Sequence, residues 1–124
     1  MASLYEECLE LLGEQAKVMT EEDTVKIFDV LQESVQFTSY GRISWDTIEQ
    51  GEDFTDQIKI SLPDGRVYIM WDNALFPAIE SSFSITMRVL ESVKKVSFDT
   101  WIFSPNEYVI EFYHEGESKI AYLK

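Results

Sequence analysis

His114 is the one imidazole of the chain and stands beside Glu115, two residues beyond Phe112, a pairing that could serve as a general base or a metal ligand. A zinc site needs three or four N, S or O ligands, and one His with one distant cysteine, Cys8, leaves only carboxylates to complete it. Cys8 would need a neighbouring base to act as a nucleophile. Its place on a helical stripe with Leu4 and Leu12 predicts a buried, inert thiol instead. The segment Asp46 to Asp56 holds five carboxylates in eleven residues, with Gly51 at the sixth position of an EF-hand register begun at Asp46. That register fails at its ligands, because Ile48, Gln50 and Gln57 stand at the third, fifth and twelfth places. Carboxylate pairs such as Glu111 with Glu115, or Asp64 with Asp72, could do glycosidase-type acid and base work at the right separation. A chain with 23 acids offers many such pairs, and solvated surface explains them. There is no Gly-rich phosphate loop, nucleophile elbow, HExxH or CxxC. No catalytic residue, metal ligand or cofactor is assigned, and a protein that works by binding, not an enzyme, is expected.

What must position any binding residues is a fold of modest size. At 124 residues the chain is one domain's worth, and 45% apolar with 14% aromatic residues is enough for a real core, which excludes disorder. The net charge of −13 repels nucleic-acid backbones and anionic membranes and suits a basic partner. Residues 1–56 hold 14 acids and 3 bases, against 9 and 7 in residues 57–124, so the first half carries the acidic field. A lone cysteine precludes an internal disulfide, and no basic n-region with an apolar run follows Met1, which points to the cytoplasm. The longest apolar stretch, Val67 to Trp71, is strand length, and a soluble protein is expected.

Two helices open the chain. The first carries a capping box, Ser3 with Glu6, an apolar stripe of Leu4, Cys8, Leu11 and Leu12, and Gly13 as its stop. The second has Thr20 as N-cap, Glu21, Glu22 and Asp23 at the positive end of its dipole, and Ile27, Phe28, Leu31 and Val35 as its buried face. From Phe37 the period changes to two. Strands are expected at Tyr40 to Trp45, then at Gln57 to Leu62 and Arg66 to Trp71 as a hairpin about Pro63-Asp64-Gly65. After Pro77 a third helix shows Ile85, Val89, Val93 and Val96 on one stripe, with Ser82 or Ser84 as cap and Lys94 and Lys95 in its last turn. A meander follows, Ser97 to Phe103, Tyr108 to His114 and Ser118 to Leu123. This order predicts an α+β fold: one domain over 1–124, an antiparallel sheet of about five to six strands, two N-terminal helices, one helix between the strand groups, and the helices on one side.

The acidic connection Asp46 to Asp56 should be exposed. Trp45 and Phe54 flank or sit within it, and aromatic anchors among charges capture a basic surface with both rate and affinity. Trp45, Asp46, Glu49, Glu52, Asp53, Phe54 and Asp56 are therefore the candidate partner-binding residues.

The stretch Phe98-Asp99-Thr100-Trp101-Ile102-Phe103-Ser104-Pro105, followed by Tyr108 to Gly116, resembles immunity proteins of bacterial contact-dependent growth inhibition and related polymorphic toxin systems. The opening Tyr5-Glu6-Glu7-Cys8-Leu9 is similar too, so about a third of the chain carries the likeness. The resemblance implies a small cytosolic protein that binds one cognate toxin, commonly a nuclease; a monomer is expected when free. It fixes no binding residue. A toxin acting on nucleic acid needs a basic cleft, which an acidic inhibitor would fill and occlude. A small acidic subunit or adaptor of a larger complex, and a carboxylate-based hydrolase, are the competing classes; the first predicts an exposed apolar patch and self-association.

Overall fold

Ser3 caps the first helix of the computed structural model, which describes residues 3–123. Its hydroxyl accepts from the Glu6 N–H at 3.1 Å while the Glu6 carboxylate accepts from the Ser3 N–H at 2.9 Å, the expected capping box. Helix α1 (Leu4–Leu12) ends at Gly13, whose φ of 87° lies where a side chain is strained. Its buried stripe is rotated from the expected one. Cys8 and Leu12 are buried, but Leu4 and Leu11 are exposed, and Tyr5 and Leu9 pack on the core instead. Tyr5 decides between the two faces: its hydroxyl donates to Pro77 O at 3.0 Å and its ring stacks on Phe76 at 5.5 Å. Thr20 caps α2 (Glu21–Ser34) by accepting from the Asp23 N–H, and Ile27, Leu31 and Val35 are buried with Phe28 half-buried beside them, as expected.

Among the described residues seven strands form one sheet. They are β1 (Lys17–Val18), β2 (Gly51–Asp53), β3 (Arg66–Trp71), β4 (Ile79–Ser82), β5 (Thr100–Ser104), β6 (Tyr108–Phe112) and β7 (Ser118–Tyr122). Their order is β1-β4-β3-β5-β6-β7-β2, with every neighbouring pair antiparallel. The α+β class is thus the expected one, with a slightly larger sheet. The C-terminal meander stands as read, with β5 starting three residues later and ending one later than expected, β6 ending two residues earlier and β7 one.

Three expected elements are corrected. Gln57 to Leu62 is not a strand, and the hairpin about Pro63 does not exist: Asp56–Ser61 is helix α3, capped by the Thr55 hydroxyl accepting from the Ile58 N–H at 3.3 Å. Ile58 and Leu62 reach the core at a spacing of four, which both periods allow, whereas Ile60 is exposed and only a helix explains that. Tyr40 to Trp45 is also not a strand. A single bridge joins Phe37 to Ile43 across a turn in which Gly41 has a φ of 90°, and Trp45–Thr47 is a 3-10 turn. The third helix splits at Val89 (φ −113°, ψ 27°) into α4 (Phe83–Arg88), capped by Ser82, and α5 (Leu90–Lys94), after a strand, β4, that the pattern concealed.

The helices cover both faces of the sheet, not one. Residues Ile69, Trp71, Ile102, Ile110 and Ile120 point into a core shared with α1, α3, α4 and α5. Their neighbours Met70, Trp101, Phe103, Val109 and Ala121 point into a second core under α2 and the segment from Phe37 to Ile48. All five residues of β5 and all five of β6 are buried, as a strand sandwiched between two layers requires.

Candidate functional site

The acidic connection begins where Trp45 leaves the second core. Asp46 accepts from the Ser44 hydroxyl at 2.9 Å, holding the 3-10 turn. Gly51 to Asp53 then lie along the sheet edge, paired with Ala121, Ile120 and Lys119. A Cβ at Gly51 would sit 3.0 Å from Ile48 Cγ2 and 3.4 Å from the Trp45 ring, so glycine is there for close packing. Asp46, Glu49, Glu52, Asp53 and Asp56 are all exposed. Tyr122 OH donates to Glu52 at 3.1 Å, and Asp53 meets Lys119 at 3.8 Å. Glu49 and Glu33 both line an open polar groove that Tyr122 and Leu123 also line. The two aromatics are tied into the fold. Phe54 packs edge-on against Phe112 at 5.8 Å, and Trp45 is half-buried with Lys119 Nζ 5.9 Å from its ring centre.

What pins Trp45 is a residue that reading the sequence missed. Glu111, in the middle of β6, is 1% exposed and accepts four hydrogen bonds. Oε1 takes the Arg42 Nε–H and the Trp45 indole N–H, both at 2.8 Å; Oε2 takes the Ile43 N–H at 2.8 Å and the Trp101 indole N–H at 3.1 Å. Arg42 Nη2 also lies 2.5 Å from Glu117 Oε1, an ion-pair contact without hydrogen-bond alignment, and the guanidinium stacks 4.1 Å over the Tyr113 ring. Burial works against the Arg42 charge, but the hydrogen bond to Glu111 and the attraction of Glu111 and Glu117 outweigh it and raise its pKa. The cluster fastens the segment before the acidic connection onto the centre of the sheet. One signal was available: a Glu inside Tyr-Val-Ile-Glu-Phe, where both faces read as buried, must be paired.

The groups weighed for catalysis have structural partners. Asp99 Oδ1 accepts from the His114 backbone N–H at 2.8 Å and lies 3.0 Å from its Nδ1, and Phe98 meets the imidazole edge-on. Cys8 is buried, and burial pushes its thiol up to about 11. Asp64 accepts from the Ser84 N–H and hydroxyl and from the Gly65 N–H, which hold its pKa below the ordinary carboxylate value. Asp72 accepts from the Asp99 N–H at 3.0 Å. Among the described residues no three of His, Cys, Asp and Glu gather closely enough to hold a metal ion, and no helix is long and apolar enough to cross a membrane.

A family model described as CdiI immunity protein, EcoliA0-like, matches residues 2–121. The chain belongs to this CdiI immunity family. No curated protein matches the sequence. The role of a CdiI protein is to neutralise the cognate toxin of contact-dependent growth inhibition. The stretches on which the resemblance rested, Phe98 to Pro105 and Tyr108 to Gly116, form β5, β6 and their flanking turns. In this CdiI protein they carry Trp101 and Glu111, which are buried in the scaffold.

Proposed function

We propose that this CdiI protein neutralises a nuclease toxin by laying its acidic surface on the basic cleft that would hold phosphates, occluding the active site without catalysis of its own. It does so in the cytoplasm, as a monomer when free. The observation that carries this reading is the unpaired acid of the connection: among the described residues, its five carboxylates share one ion pair, Asp53 with Lys119. Excess negative charge left exposed attracts a basic partner and competes with phosphate for the same Lys and Arg groups. Asp46, Glu49, Glu52, Asp53 and Asp56 supply the field, while Trp45 and Phe54, half-buried, fix the course of the connection and leave part of each ring for the partner.

The test is a titration of catalytically dead toxin domain with labelled RNA or DNA and the immunity protein. Mutual displacement is expected. A stable ternary complex with undiminished nucleic-acid affinity would show exosite binding, and a toxin with neither nuclease activity nor a basic surface would remove the charge argument.

A further inference from the structure

Among the described residues four large apolar side chains stand out as most exposed: Leu75 at 81%, Ile60 at 80%, Phe98 at 77% and Tyr40 at 71%. Three of them share one end of the sheet. Trp71 at the end of β3 pairs with Thr100, Thr100 with Phe112, and Phe112 with Ser118, so the loops 72–78, 97–99 and 113–117 leave the sheet together. The turn carrying Tyr40 joins them through Arg42, which reaches Tyr113 and Glu117.

These tips are held in place. The Asp72 N–H donates to Asp99 O at 3.2 Å, the Asp99 N–H to Asp72 Oδ1 at 3.0 Å, and the Leu75 N–H to Asn73 Oδ1 at 2.9 Å. Apolar groups fixed in exposed loops cost little ordering on binding. Beside the tips a groove of about 460 Å³ runs between α2 and the 72–78 loop, with Val25, Phe28 and Leu75 on its walls. It continues past Phe28, Gln32 and Ala74 into a second hollow toward the 38–41 turn.

The charges say what fits there. Glu21, Asp29 and Asp72 line the two hollows with no Lys or Arg among the lining residues, and the loops add Asp99, Glu115 and Glu117. Of the bases near this end, Arg42 is engaged by Glu111 and Glu117, Lys94 by Glu91 at 3.2 Å and Lys119 by Asp53 at 3.8 Å. A second copy of a −13 chain would be repelled. A surface with apolar side chains set among lysines and arginines is complementary.

We propose that this loop end, with Tyr40, Leu75 and Phe98 as anchors and the α2 groove beside them, is where the basic surface of the toxin domain makes its apolar contact. The inference rests on the reading above that the partner is a basic toxin domain, and it divides the work: the connection steers, the loop end holds. Burial of aromatic and aliphatic anchors sets the dissociation rate, while exposed charges set the association rate.

The experiment measures binding of the catalytically dead cognate toxin domain to wild type, to Leu75→Ser/Phe98→Ser, to Tyr40→Ser and to Glu49→Lys/Glu52→Lys. The serine variants change exposed positions, and unchanged thermal midpoints confirm their folding. Leu75→Ser/Phe98→Ser should dissociate about thirtyfold faster or more, the loss of a buried anchor, with an association rate close to wild type; the lysine variant should show the reverse. Wild-type dissociation rates for both serine variants would overturn the docking face while leaving the toxin-binding reading intact. Failure of wild type to bind the domain would overturn that reading and the docking face together. A wild-type dimer that Leu75→Ser/Phe98→Ser turns into a monomer, with toxin binding unchanged, would make the face a self-interface and likewise overturn the proposal.

Discussion

Glu111 concentrates more of the fold than any other polar side chain. Truncating it would leave the Arg42 guanidinium, two indole N–H groups and the Ile43 N–H without their acceptor. Removing one partner of a buried ion pair costs about 3–5 kcal/mol, so urea unfolding of Glu111→Ala should show a loss of that size, with Trp45 fluorescence shifted to the red as its segment loosens. Cys8 makes the opposite case. Its thiol, pushed up to about 11 by burial, should resist disulfide reagents in the native protein at pH 8 and react at once in denaturant. Cys8→Ala should cost about 1–2 kcal/mol through lost packing and leave toxin binding unchanged. Asp64 gives a pH signature. Its folded pKa is depressed by the Ser84 hydrogen bonds, so its contribution is present above the ordinary carboxylate value of about 4 and is lost as pH falls through the lower folded value. The gap in thermal midpoint between wild type and Asp64→Asn should be steady near neutrality and close in acid.

Helix α3 separates two readings of one string, and Ile60 is the residue that tests them. Ile60→Lys should change stability by no more than about 0.5 kcal/mol by thermal melt, because the side chain is exposed; a buried strand position would lose several times that. Thr55→Ala, which removes the cap, should cost about 1 kcal/mol. The elements that sequence reading located, α1, α2, β3 with its expected bounds Arg66–Trp71 and the β5-β6-β7 meander, announce themselves by local chemistry: a capping box, a capping threonine with acids after it, Pro-Asp-Gly, Pro-Asn and Glu-Gly turns beside apolar runs. Those it missed lack such marks. β1, β2 and β4 span two, three and four residues, too few to show a period. The second helical layer was visible in principle, since Thr-Trp-Ile-Phe-Ser and Tyr-Val-Ile-Glu-Phe do not alternate, and a strand without alternation is covered on both faces. The exposure of the acidic connection was legible from its composition. The clamp beneath it was not, because Arg42, Ile43 and Trp45 stand 66 to 69 residues from Glu111 and nothing local links them.

Taken together, the charges oppose compactness. A net charge of −13 on 124 residues repels itself, and screening by salt should relieve that. The thermal midpoint should therefore rise as sodium chloride increases from about 10 to 150 mM, a range over which the Debye length shortens to about 8 Å, while the association rate with the toxin domain falls. The strand order adds a matter of timing. The run β4-β3-β5-β6-β7 is drawn entirely from residues 66–122, whereas β1 and β2, from the acidic first half, attach at its two rims. Neighbours close in sequence pair fastest, so pulse-labelled hydrogen exchange should find β3, β5 and β6 protected before either rim. During synthesis the order of appearance runs the other way. The acidic half leaves the ribosome first with no sheet to lie on, kept apart by its own repulsion, and Gly51 to Asp53 find their partner only once Lys119 to Ala121 have been made. A nascent chain of this kind carries its charge long before it has its shape, and its sheet is complete only when β7 is in place.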